Sequence, residues 1–127
     1  MDYFKVNNEY SKFVIIAIGT KSRALGLLNE KKYFHKGISF CSICDGALYK
    51  GLDTAVCGSS IEAINSANLL SKYSPNVYLI NKKDKLDVDT FLNKNVIVLN
   101  KTTITVFIGE NNLEKIIIKN ENNEKEL

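Results

Sequence analysis

The chain has 127 residues, of which 45% are apolar and 24% charged, and a formal net charge of +3. That length suits one domain able to bury about two thirds of its unfolded surface. The lysines are interleaved with Asp and Glu, and no arginine-rich stripe or basic–aromatic array is present, so composition argues against a nucleic-acid surface. Residues 1–10 carry acidic and polar side chains with no apolar h-region, and the longest apolar runs are too short for a bilayer. The expectation is a cytoplasmic chain with no membrane association.

In chain order, Phe13-Val14-Ile15-Ile16-Ala17-Ile18 is a continuous apolar, partly β-branched run closed by Gly19, which predicts a buried strand. Residues 20–38 have no sustained period and read as an irregular linker. Ser42 and Asp45 suit a helix start, predicting a helix over 41–48 ended by Gly51. Residues 53–83 have a β-α-β pattern. Thr54 to Cys57 forms a strand ended by Gly58, and Ser59 or Ser60 caps a helix carrying Ile61, Ile64, Ala67, Leu69 and Leu70. Pro75-Asn76 breaks that helix before a strand at Val77-Tyr78-Leu79-Ile80. Such a pair is parallel with a right-handed crossover. Residues 87–94 are expected to form a short helix and 95–99 a strand. Residues 103–108 and 113–119 flank the turn Gly109-Glu110-Asn111-Asn112 as a hairpin. The polar tail, 120–127, is expected to fray. The fold class is therefore α/β, a Rossmann-like parallel β-α-β core with an appended antiparallel β-meander.

The chemistry concentrates at Cys41-Ser42-Ile43-Cys44-Asp45-Gly46. Thiols two residues apart can close and reopen a small disulfide ring, and the same spacing suits half of a zinc site. Structural zinc needs four ligands, and the inventory is Cys41, Cys44, Cys57 and His35. Cys57 lies in an apolar run and reads as a small buried hydrophobe, while His35 reads as a linker histidine. A reducing compartment also disfavours a lone structural disulfide. Cys41 and Cys44 are therefore the candidate redox pair, with Asp45 as a proton donor and acceptor during exchange, and no metal is expected.

Gly58-Ser59-Ser60-Ile61-Glu62-Ala63 stands where a dinucleotide turn would. Gly58 and Ala63 occupy fingerprint positions, but Ser60 replaces the second glycine, where the backbone approaches the pyrophosphate. An ordinary strand-to-helix turn is the competing reading. Lys82 and Lys83, after the second strand, could hold a 2′-phosphate or simply be solvated.

Together these pieces resemble the low-molecular-weight thioredoxin reductases, in their pyridine-nucleotide and disulfide domain. The residues carrying the resemblance are Ile15-Ile16-Ala17-Ile18-Gly19-Thr20, Gly37-Ile38-Ser39-Phe40 leading into the Cys41 motif, Ala55-Val56-Cys57-Gly58-Ser59-Ser60-Ile61-Glu62-Ala63, and Tyr78-Leu79-Ile80-Asn81-Lys82-Lys83-Asp84. The resemblance implies that FAD passes electrons from NADPH to Cys41 and Cys44, which reduce a thioredoxin-like protein, with Asp45 as the acid–base group. It places Gly58, Ser59, Ser60, Ala63, Lys82 and Lys83 at the NADPH site. Residues 13–20 resemble a strand of the FAD domain. The implied division is 1–30 as the edge of that domain, 31–119 as the NADPH and disulfide domain, and 120–127 as a tail.

The chain departs from the family pattern at particular points. The family has a run of glycines where Gly58-Ser59-Ser60 stands, and His-Arg-Arg then a further Arg where this chain has Asn81-Lys82-Lys83 and Asp87. There it resembles relatives that take electrons from another donor, such as ferredoxin. No strand-glycine-helix FAD fingerprint precedes Phe13, so residues 1–127 alone are not expected to hold FAD or to turn over. The run 13–18 is then expected either to pair with another chain or flavin domain, or to be poorly ordered. The rival from another class is a non-enzymatic remnant that binds a nucleotide or protein.

Overall fold

Apolar alternation and breaker residues lay out the core of this molecule. The computed structural model of the chain describes residues 2–19 and 21–127. A small antiparallel hairpin, β1 (Phe4–Val6) with β2 (Glu9–Ser11), comes first. Asn7 takes the left-handed conformation in its turn, with φ 55°, as Asn tolerates. After the linker come α1 (Ser42–Asp45), a 3₁₀ turn over Gly46–Tyr49, β3 (Thr54–Cys57), α2 (Ile61–Leu70) and β4 (Val77–Ile80). β5 (Val96–Leu99), β6 (Thr103–Ile108), β7 (Lys115–Lys119) and β8 (Glu124–Glu126) complete the chain.

β3, β4 and β5 form a parallel sheet in that order, with Thr54 opposite Val77 and Val77 opposite Val96. Because successive strand residues face opposite ways, β4 serves two clusters. Val77 and Leu79 pack with Ile64, Ala67 and Leu70 of α2, together with Val56, Val96 and Val98. Tyr78 and Ile80 face the other way, onto Tyr33 and the β6–β7 residues Phe107, Ile116 and Ile118. The predicted α/β class, a parallel β-α-β core with an antiparallel meander, is the architecture observed.

Four sequence expectations give way. Residues 13–18 are neither a strand nor buried: Phe13 is 83% exposed, Ile15 91% and Ile18 90%. An apolar run becomes a strand only where a neighbour supplies a ladder, and the described residues supply none to this one. Thr20, included in the family-like run, lies outside the described residues. Residues 87–94 are irregular rather than helical. Asn68 of α2 captures their backbone, donating to the Phe91 carbonyl at 2.9 Å and accepting from Asn93 N–H at 2.9 Å, and side-chain bonds of this kind compete with helix formation. The tail is paired as well as polar. β8 adds to β7, and Leu127 exchanges two 2.9 Å backbone bonds with Ile116. Cys57, expected to be buried, is exposed on the edge strand β3.

One buried carboxylate folds the linker back on itself. Glu30 accepts N–H bonds from Leu25, Gly26 and Leu27 at 2.8, 2.7 and 3.3 Å. Tyr33, in the 3₁₀ turn Glu30–Tyr33, sends its hydroxyl to the Gly109 carbonyl at 2.8 Å.

Candidate active site: a dithiol and a nucleotide turn on one helix

Cys41 and Cys44 are joined as a disulfide, with Cα atoms 5.3 Å apart. Cys41 is the N-cap of α1, and its sulfur receives the Cys44 N–H at 3.2 Å. An N–H aimed at sulfur stabilises negative charge there once the pair is reduced. Cys44 is exposed and Cys41 half-buried. Phe40, Ile43 and Leu48, close to the pair in the chain, are exposed apolar side chains.

Asp45 lies next to this ring but is turned toward Ser39. The Ser39 hydroxyl donates to Asp45 Oδ2 at 2.5 Å and accepts the Cys41 N–H at 3.0 Å. Asp45 N–H closes the turn onto the Cys41 carbonyl at 3.1 Å. Ser39, which the sequence reading did not single out, therefore ties the backbone of one cysteine to the neighbouring carboxylate. The hydroxyl two residues before Cys41 was the available signal.

Helix α2 positions the dithiol from below. Ser42 Oγ bonds Ser66 Oγ at 3.0 Å, and a Cβ on Gly46 would lie 2.8 Å from Leu70 Cδ2. The absent side chain lets the segment after Asp45 sit against the helix. Ser66 is about 8 Å along the axis from Ile61 at 1.5 Å per residue, so one short helix carries both the disulfide support and the candidate nucleotide turn.

In that turn Gly58 has φ +151°, and a Cβ there would lie 2.8 Å from Ala63 Cβ. Gly58 and the buried Ala63 together allow close strand–helix packing, a role the fingerprint assigns to small residues. Ser60 caps α2 in extended backbone. The Ser60 hydroxyl and the N–H of Glu62 itself hold the Glu62 carboxyl below its ordinary range. A cavity of about 410 Å³ opens beside the turn, with Cys57, Gly58, Ser59, Lys82, Lys83 and Leu25 among its lining.

The remaining candidates are divided between partners. Asn81 is 1% exposed and fully engaged: its Nδ2 donates to Asn100 Oδ1 at 2.8 Å and its Oδ1 accepts Lys83 N–H at 2.9 Å. Lys83 Nζ reaches Asp87 Oδ1 at 2.6 Å, and Ser59 Oγ donates to Asp87 Oδ2 at 2.7 Å. Lys82 is exposed and has no ionic partner among the described residues. Cys57 is crowded enough, despite its exposed edge, that desolvation and then the Glu30 charge push its thiol up to about 11. That is the opposite of activation. The described residues contain no group of three or more potential metal ligands and no helix long and apolar enough to cross a membrane.

Cofactor fit follows from these contacts. β3–α2 is the single parallel-strand-to-helix unit among the described residues, so they offer no separate cradle for FAD. For NADPH, the Lys83 ammonium and Ser59 hydroxyl are already engaged by a carboxylate, so the arrangement does not fit a 2′-phosphate.

No family model matches the chain. It is 37% identical over 117 residues to the thioredoxin reductase of Mycoplasma pneumoniae, covering 87% of this chain and 37% of that protein. With the thioredoxin reductase of Buchnera aphidicola subsp. Schizaphis graminum it shares 37% over 133 residues, covering 94% of this chain and 42% of the relative. The crystal structure of T. acidophilum thioredoxin reductase superposes with a TM-score of 0.77 at 28% identity, over 93% of this chain and 41% of that one. The chain thus spans about two fifths of the length of these relatives. By sequence and by fold it belongs with the thioredoxin reductases, matching part of their length.

Proposed function

We propose that this chain is the dithiol-bearing domain of a thioredoxin-disulfide reductase and that Cys41 and Cys44 exchange with the disulfide of a thioredoxin-like protein. The observation that carries the reading is the Cys41–Cys44 disulfide itself, set at the start of a helix with exposed apolar side chains close by in the chain.

The exchange proceeds in two displacements. In the reduced pair, the Cys41 thiolate attacks one sulfur of the target disulfide, forming a mixed disulfide and releasing the target's other sulfur as a thiolate. Cys44, deprotonated, then attacks Cys41. The Cys41–Cys44 bond closes and the second target thiolate leaves, so two electrons pass from the pair to the target. Cys41 is assigned the first attack because the Cys44 N–H points at its sulfur and because Asp45 adjoins Cys44, where like charge opposes a thiolate. Asp45 takes and returns the proton, held in place by Ser39.

The pair is reloaded by a two-electron donor. In a complete enzyme of this family that donor is FAD on a flavin domain, against which residues 13–18 would pair. A reducing cytoplasm suits this cycle. The division into a flavin-domain edge (1–30) and a dithiol domain from residue 31 belongs to the same proposal, with residues 120–126 joined to that domain through β8.

The test is exchange between the pre-reduced chain and an oxidised thioredoxin. Cys44→Ser is expected to stop at a trapped mixed disulfide through Cys41, and Cys41→Ser to abolish transfer. Unchanged transfer in both variants would remove the proposal.

A further inference from the structure

The latch between the β3–α2 turn and the segment after β4 has a consequence for nucleotide choice. In a β-α-β nucleotide unit, groups just past the second strand meet the adenosine ribose, where a carboxylate accepts from a free 2′-hydroxyl and a cation accommodates a 2′-phosphate. The cations available there are Lys82 and Lys83. Asp87 spans the site: its Oδ1 holds Lys83 Nζ at 2.6 Å, its Oδ2 accepts from Ser59 Oγ at 2.7 Å, and its N–H donates to the Ser59 carbonyl at 2.9 Å. Ser59 and Lys83 both line the 410 Å³ cavity.

We propose that Asp87 is a specificity-determining residue that makes this site prefer a dinucleotide with a free 2′-hydroxyl over one with a 2′-phosphate. It acts in two ways. It takes up the hydroxyl and the ammonium that would otherwise bind the phosphate, and it places a negative charge where a dianionic group would have to enter. The Lys83 ammonium and the Ser59 hydroxyl also hold the Asp87 carboxyl below its ordinary range, which keeps it ionised at neutral pH. Among the described residues Lys82 is the one cation left unpaired in the cavity lining; Asn81 is buried in its own amide network, and Lys101 pairs with Asp84 and Glu121 at 3.2 and 3.6 Å. Glu62, at the first turn of α2, adds a further negative charge.

The proposal rests on reading the β3–α2 turn as a nucleotide site and is independent of thiol exchange. The experiment titrates the full chain with NADPH, NADH, 2′,5′-ADP and 5′-AMP, for wild type, Asp87→Asn and Asp87→Asn/Lys83→Ala. Wild type is expected to bind NADH at least as tightly as NADPH. Asp87→Asn should bind NADPH and 2′,5′-ADP about tenfold more tightly, with NADH and 5′-AMP changed less than twofold or weakened. The added Lys83→Ala should reverse the gain. Tenfold tighter NADPH than NADH binding by wild type would overturn the proposal, and this arm needs no variant to fold. Equal shifts for both nucleotides in Asp87→Asn would overturn it too, leaving the nucleotide site standing. Absence of saturable binding in every variant would overturn both the proposal and the nucleotide-site reading, while leaving the dithiol reading untouched.

Discussion

Glu30 and Asp87 show how the surroundings of a single carboxylate decide its work. Three backbone N–H groups converge on Glu30, and it holds the linker folded on itself. The Lys83 ammonium and the Ser59 hydroxyl, both at the cavity, converge on Asp87, which is therefore proposed to govern nucleotide choice. Desolvation, and then the charge of Glu30, raise the Cys57 thiol from 9.0 to about 11. At pH 8 that leaves the thiolate roughly 100-fold scarcer than in an unperturbed thiol. Of the three cysteines, only Cys57 is free when the 41–44 bond is closed. Alkylation of the oxidised chain at pH 8 should therefore run roughly 100-fold slower than alkylation of a free peptide thiol. Fast labelling at pH 8 would show that the sulfur is not desolvated. A folded-state value above the unfolded one stabilises the protonated fold, fully below about pH 9 and progressively less as pH rises toward about 11.

At the scale of elements, β3, α2 and β4 were legible because each carries its own punctuation. Gly58 ends one strand, Ser60 caps the helix, and Pro75 separates the helix from the next strand. The same local logic failed where the decisive partner was remote. Glu124-Lys125-Glu126 has no apolar pattern, yet β7 offers an open edge and Leu127 reaches the core. Residues 87–94 look helical until Asn68, on another element, takes their backbone groups. Likewise Cys41, Cys44 and Asp45 were visible by spacing, while the Ser39 contact and the Asp87 latch depend on side-chain geometry that spacing does not carry. The close approach of β3 to α2 is testable at Gly58. Gly58→Ala should cost roughly 1–3 kcal/mol in chemical denaturation, from positive-φ strain and the clash with Ala63. An unchanged midpoint would mean that the strand–helix contact is looser than described.

Over the whole molecule, two clusters share one parallel sheet, with α2 on one face and the β6–β7 sheet on the other. The apolar residues 13–18 lie outside both. Consecutive exposed apolar side chains of this kind are what an association site would present, in keeping with the pairing proposed for this run. In hydrogen exchange of the isolated chain, amides 13–18 should exchange at nearly unprotected rates while those of β4 exchange slowly. Protection of residues 13–18 that persists on dilution would place a strand partner within the chain. On its own face of the parallel sheet, α2 holds the dithiol segment through Ser66 and Leu70 and begins after Ser60, in the candidate nucleotide turn. The most direct measurement is thiol release from oxidised thioredoxin mixed with the pre-reduced chain. Two target thiols freed per chain, with Cys41–Cys44 closing in step, is the predicted result. Target thiols that never appear, or that appear equally with Cys41→Ser, would contradict the account.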